Sequence, residues 1–116
     1  MKWPELCKLA RELPEVTVGT WYATPGLLVA GKGFVRLITG PAKPGGEIDG
    51  TTVVFMLADL DEQDALLHAK PAVYYITDHY QGYPAILARL GKLGVREART
   101  RLERSWQQKA PKRLLR

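Results

Sequence analysis

The chain has 116 residues, 46% of them hydrophobic and 25% charged, with a formal net charge of +5. Length and balance are those of one soluble globular domain, residues 1–116, with enough apolar mass for a core. No run of about 18 apolar residues exists to cross a membrane, no apolar leader opens the chain, and the lone Cys7 cannot form an internal disulfide, so a cytoplasmic protein is expected, a monomer being one state open to it.

Trp3, Leu6, Leu9, Ala10 and Leu13 recur at three- and four-residue spacings, which predicts an amphipathic helix. Pro4 suits its first turn and Pro14 ends it. Cys7 falls on this helix and is expected to fill core space. The period then drops to two. Val16, Val18 and Thr20 alternate with Thr17, Gly19 and Trp21 as in a strand, and Pro25-Gly26 is expected to break it. Leu27–Ala30 and Phe34–Ile38 flank Gly31-Lys32-Gly33, which reads as a tight hairpin with Lys32 at its tip. Residues 40–46 hold three glycines and two prolines and read as a mobile loop. Thr51–Leu57 is a further strand.

Asp61 reads as the N-cap of a second helix reaching about Ala69, with Asp64 in its first turn. Val73–Ile76 and Ala85–Arg89 read as strands bracketing His79-Tyr-Gln-Gly-Tyr-Pro84. The last helix is predicted from about Gly94 to Lys109, with Val95, Ala98, Leu102 and Trp106 on one face and Pro111 as its stop. Trp21 and Trp106 are expected in the core. This order describes an α+β domain with a largely antiparallel sheet.

Charge is unevenly distributed. Residues 89–116 carry ten basic against two acidic groups, or +8, while residues 1–88 carry seven against ten, or −3. A cationic end of this kind either attracts a polyanion or is a solvated face that keeps the chain soluble. On the last helix the arginines spread around the arc rather than forming a stripe, which argues against a groove-reading helix.

Motifs for catalysis and metal binding fail on inspection. Gly26-Leu-Leu-Val-Ala-Gly31-Lys32 resembles a phosphate loop, but Gly33 replaces the Ser or Thr that would hold magnesium, and strand follows where a helix is required. Counting an EF-hand from Asp59 puts Asp64 at the obligate glycine and Lys70 at the bidentate Glu. His68 and His79 have no neighbour at zinc-ligand spacing. Ser105 lies on a predicted helix, and no base pairs with it or with Cys7. Neither a catalytic site, a metal site nor a cofactor is expected.

What stands out instead is the 79–84 segment, a rigid aromatic loop beside a sheet. Together with Gly19-Thr-Trp-Tyr-Ala-Thr-Pro25, Gly31-Lys32 followed by Phe34-Val-Arg-Leu37, and Trp106 with Ala110-Pro-Lys-Arg-Leu114, it resembles the MmcQ/YjbR-like family of small bacterial proteins. That resemblance implies a fold similar to CyaY, the bacterial frataxin, with helices on one face of a twisted antiparallel sheet. It also implies DNA binding through a "double wing" of strands and loops. Carried onto this chain, the family's recurring polar positions are Lys32, His79, Tyr80, Tyr83, Lys112 and Arg113. Frataxins bind iron through an acidic surface, whereas the acids here are scattered, which argues against metal delivery.

Two binding readings of function follow, beside a third, an unrecognised enzyme that would need His79 as its general base. In the first, Lys32, Arg36, His79, Tyr80, Tyr83, Lys112 and Arg113 form one cationic platform for DNA, its lysines and arginines on phosphates and its rings stacked on bases. In the alternative, Trp21, Tyr80 and Tyr83 line a pocket for a small ligand or a protein partner. Tyr80 and Tyr83 have a structural role open to them as well, bonding backbone or packing the loop, and His79 one of orienting it.

Overall fold

The computed structural model describes residues 1–38 and 51–115. Helix α1 (Trp3–Ala10) precedes four strands, β1 (Val16–Trp21), β2 (Thr24–Val29), β3 (Lys32–Leu37) and β4 (Thr52–Met56). Helix α2 (Leu60–Ala69), strands β5 (Tyr74–Tyr75) and β6 (Ala85–Arg89) and helix α3 (Val95–Lys109) complete the domain. The strands form one sheet in the order β1-β2-β3-β4-β6-β5. Each neighbouring pair is antiparallel, so the chain is α+β with an antiparallel sheet. No helix among the described residues is long and apolar enough to cross a membrane.

The main core lies between the helices and one sheet face. Leu6, Cys7 and Ala10 of α1 and Ala98, Leu102 and Trp106 of α3 meet Leu27, Val29, Phe34, Val35, Leu37, Val53, Phe55, Ile86 and Ala88. Leu66 and Leu67 of α2 pack against the same cluster. Alternation along the strands sends Val54, Met56, Ala85 and Leu87 to the opposite face, where they form a second, smaller cluster with Tyr80.

Several boundaries differ from expectation. Helix α1 stops at Ala10 rather than Leu13. Pro14 disfavours helix in Leu13, and the chain tightens through Glu12 N–H to Leu9 O and Leu13 N–H to Ala10 O. Strand β1 ends not at Pro25-Gly26, which lies inside β2, but at Tyr22-Ala23, both with positive φ (55° and 61°). A two-residue hairpin needs that handedness to match strand twist. Pro25 is tolerated because pairing of β2 with β3 begins only at Gly26. The second hairpin turns at Ala30-Gly31 (φ 49° and 83°), and Lys32 is not its tip but the first residue of β3, opposite Val29.

The N-cap of α2 is Asp59, not Asp61. Its Oδ1 accepts from the Glu62 amide at 2.9 Å, while Glu62 Oε1 accepts from the Ala58 amide at 3.1 Å. On α3 the buried face is Ala98, Arg101, Leu102, Ser105 and Trp106, and Val95 is exposed. Of the polar members of that face one is hydrogen-bonded and the other held by charge, the buried Nε and Nη1 of Arg101 making no hydrogen bond among the described residues. Ser105 Oγ donates to Met56 O at 2.6 Å, and Arg101 lies between Glu62 (3.5 Å) and Glu97 (3.8 Å). Burial pushes the Cys7 thiol up from its ordinary value, in keeping with the core role expected of it. The loop expected at residues 40–46 lies outside the described residues.

Candidate functional site

The sheet face away from the helices carries the site, and glycines shape its floor. Trp21 lies across β2 and β3 rather than in the main core. A Cβ on Gly33 would sit 2.2 Å from the Trp21 ring, and one on Gly26 would sit 3.1 Å from Trp21 Cβ. Only residues without side chains let an indole lie this low on a sheet. Beside it stands Tyr22, its ring centroid 5.3 Å from that of Trp21. Tyr22 is 74% exposed and is held there by the positive φ of the hairpin turn, a conformation that costs an L-residue about 1–2 kcal/mol.

Arg36 rises from β3 next to these rings. Its Nη2 donates to Tyr80 Oη at 2.7 Å, and its guanidinium carbon lies 5.6 Å from the Tyr22 ring centroid. Arg36 is half-buried, yet among the described residues no carboxylate lies within ion-pair distance of it. Because Tyr80 Oη accepts from Arg36, the phenolic proton is left to point elsewhere.

The opposite wall is the segment that joins β5 to β6. Residues Asp78–Tyr80 make a 3-10 turn, closed by Tyr80 N–H to Thr77 O and Gln81 N–H to Asp78 O. Gly82 follows at φ 77°, and Tyr83 N–H returns to Tyr80 O. The turn buries Tyr80 and leaves His79 and Tyr83 exposed, with His79 edge-on to Tyr80 at 4.9 Å and Tyr83 at 6.3 Å from it. Gln63 of α2 clamps the whole segment. Its Nε2 donates to the carbonyls of Tyr83 (2.8 Å), Ala85 (2.9 Å) and Tyr80 (3.2 Å).

Between these walls is a cleft of about 470 Å³ lined by Trp21, Tyr22, Arg36, Met56, His79, Tyr80 and Tyr83. That volume falls within the range of about 300–1,000 Å³ typical of small-ligand sites. Of the residues singled out from sequence, Arg36, His79, Tyr80 and Tyr83 therefore converge. Lys32, Lys112 and Arg113 do not join them. Lys32 pairs with Val29, which pairs in turn with Val16 at the far end of β1. Arg113 lies in the Lys112–Leu114 turn and grips Glu15, just ahead of Val16, with Nη2 2.7 Å from Oε1. The six residues of β1 separate that end from Tyr22 by about 20 Å.

Among the described residues, four of the ten basic residues of the C-terminal segment lie beside acids in the fold. Arg99 pairs with Glu12, Arg104 with Glu62, Arg101 with both Glu62 and Glu97, and Arg113 with Glu15. Three of these acids, Glu12, Glu15 and Glu62, come from residues 1–88, where the net charge is negative. Tyr22, Met56 and Gln63 were not legible as site residues. Tyr22 stands beside Trp21 without a turn signature, and Gln63 reaches the loop only through tertiary structure.

The architecture is thus an antiparallel sheet with helices on one face and an aromatic cleft with a single guanidinium on the other. The chain is 37% identical over 76 residues to uncharacterized proteins of Mycobacterium bovis and Mycobacterium tuberculosis, a match covering 66% of this chain and 56% of theirs. It spans little more than half the length of the curated relatives it matches. No family model matches the chain, and no solved structure matches it.

Proposed function

We propose that this chain is a non-catalytic binding module of the MmcQ/YjbR-like kind, whose recognition site is the Arg36 cleft and whose ligand is a small molecule. One observation carries the reading. A half-buried guanidinium whose one hydrogen bond among the described residues is to a phenol stands in a cleft otherwise made of rings and a thioether. Ligand sites have this composition, mostly apolar with a few placed polar groups. The separation of Lys32, Lys112 and Arg113 from the cleft removes the motive for a broad cationic platform.

DNA is the second reading, favoured by the net charge of +5 and by the exposed rings of Tyr22 and Tyr83, on which an unpaired base could stack. Titration of the protein with single-stranded and duplex DNA at two salt concentrations, beside a small-molecule panel, separates the two. Small-molecule binding that is lost in Arg36→Met and kept in Lys112→Glu/Arg113→Glu is the expected result. Salt-sensitive DNA binding that is lost in the tail variant and kept in Arg36→Met would move the site to the C-terminal turn.

A further inference from the structure

We infer that the cleft selects a ligand with both a flat ring and an oxyanion, the anion held by Arg36 and the Tyr80 hydroxyl and the ring by Tyr22 and Tyr83. This deepens the small-molecule reading and rests on it. Arg99, Arg101, Arg104 and Arg113 each lie within 4 Å of a carboxylate. Arg36, half-buried, has none among the described residues. A guanidinium taken partly out of water without a counter-charge is costly, and an incoming oxyanion supplies what the fold withholds.

The donors around it converge. Arg36 uses Nη2 on Tyr80 Oη, which leaves its other N–H groups and the phenolic proton free for an acceptor placed between them. A carboxylate or a phosphate monoester presents two oxygens and can meet a guanidinium in the paired geometry that makes such contacts strong. A cationic ligand is disfavoured at the same spot. Trp21, Tyr22, Tyr80 and Tyr83 could cage an ammonium by their ring faces, but Arg36 lines the same cleft and would repel it.

The ring half of the ligand follows from exposure. Tyr22 and Tyr83 are among the few large hydrophobic side chains left open among the described residues, 74% and 49% exposed, and both line this cleft. Tyr22 is held in place by a strained turn, and strain of that kind gathers where a ligand is gripped.

Calorimetric titration and amide chemical shifts test the inference with two matched pairs of probes, 1-naphthoate against 1-naphthamide and thymidine 5′-monophosphate against thymidine. The charged member of at least one pair is expected to bind about tenfold tighter or more, the scale of a hydrogen-bonded charge, and the pair that shows it distinguishes carboxylate from phosphate. Arg36→Met should abolish the preference, and Tyr80→Phe should reduce it. Equal affinity within both pairs, with shifts at Trp21 and Tyr22, would overturn the anion site and leave the cleft as a binding site. No shift at those residues with any probe would overturn both. The comparison within each pair needs only the unmodified protein, so a folding defect in either variant leaves it intact.

Discussion

Gln63 and Tyr83 lie 20 positions apart in sequence, and the Gln63 amide donates to the Tyr83 carbonyl at 2.8 Å. The same Nε2 reaches Ala85 O and Tyr80 O, so one buried side chain on α2 satisfies backbone on both sides of Gly82. The loop that carries His79, Tyr80 and Tyr83 is therefore held by a residue outside the cleft. Gln63→Leu keeps the bulk and removes the donor; Tyr80 O and Tyr83 O keep the Tyr83 and Ala85 amides, while Ala85 O loses its side-chain partner, at about 1–3 kcal/mol. Urea unfolding should show that loss, and hydrogen exchange should quicken at Gln81 and Tyr83 before elsewhere. Unchanged exchange in the loop would mean that it holds itself.

Gly33 tests the floor of the cleft. Its alanine variant places a methyl within 2.2 Å of the Trp21 ring, so the indole must lift or the strands must part. Overpacking of this kind costs about 1–3 kcal/mol, and a lifted Trp21 should shift its fluorescence to the red. Gly91, with nothing within 4 Å of an added Cβ, is the control. Gly91→Ala should be neutral or stabilising by less than about 1 kcal/mol. A Gly33→Ala protein with the emission and midpoint of the parent would remove Trp21 from the floor.

The acid limb of stability should trace to Glu62 and Glu97. Burial raises the Glu62 carboxyl, but the Ala58 amide and the Arg104 and Arg101 guanidiniums outweigh it and hold the group below the usual carboxylate range. Burial likewise raises Glu97, and the Tyr74 hydroxyl, Lys70 and Arg101 bring it below that range. Tyr74 is displaced the other way, first by burial and then by its hydrogen bond to Glu97, so it stays protonated across the working range. Groups lowered on folding stabilise the native state above their unfolded values, near pH 4, and lose that contribution as pH falls through the folded ones. The urea midpoint should therefore be flat from pH 8 to about 6 and drop below about 4. Glu97→Gln should lower the plateau and shallow the drop, and an acid limb as steep as the parent's would place the linkage in other carboxylates.

How far these features could be read from the chain depends on the range over which they are encoded. The order of helices and strands rests on local signals, such as the two-residue alternation from Val16 and the three- and four-residue spacing around Leu102, and it was legible. So was the 79–84 loop, because glycine, proline and two tyrosines in six positions bend and bare a chain whatever surrounds it. The hairpin at Tyr22-Ala23 was not, since neither residue favours positive φ and Pro25-Gly26 nearby is the stronger local turn signal. Arg101 shows a different limit. Read along the chain it belongs to a basic run, and only folding brings Glu62 and Glu97 beside it. Charge counted by segment missed the pairing that charge counted in space makes plain.

The strained hairpin supplies the last prediction. Tyr22 and Ala23 both hold positive φ, where Asn-Gly is the favoured pair for a two-residue turn. Replacing them as Tyr22→Asn/Ala23→Gly should relieve conformations that cost roughly 1–2 kcal/mol per residue. Part of that gain is lost to the freer unfolded chain that glycine brings. A net gain of about 1 kcal/mol would raise Tm by about 4–8 °C in a domain of this size. The same change removes the exposed ring from the cleft and the cation–π partner of Arg36, so a ring-bearing anion should bind several-fold more weakly. Calorimetric melting and titration on one preparation read both effects. Stability that rises while binding falls would show that the turn is kept strained for the sake of its tyrosine. Stability that falls would mean that packing of Tyr22 on Trp21 outweighs the backbone, and binding that persists would remove Tyr22 from the site.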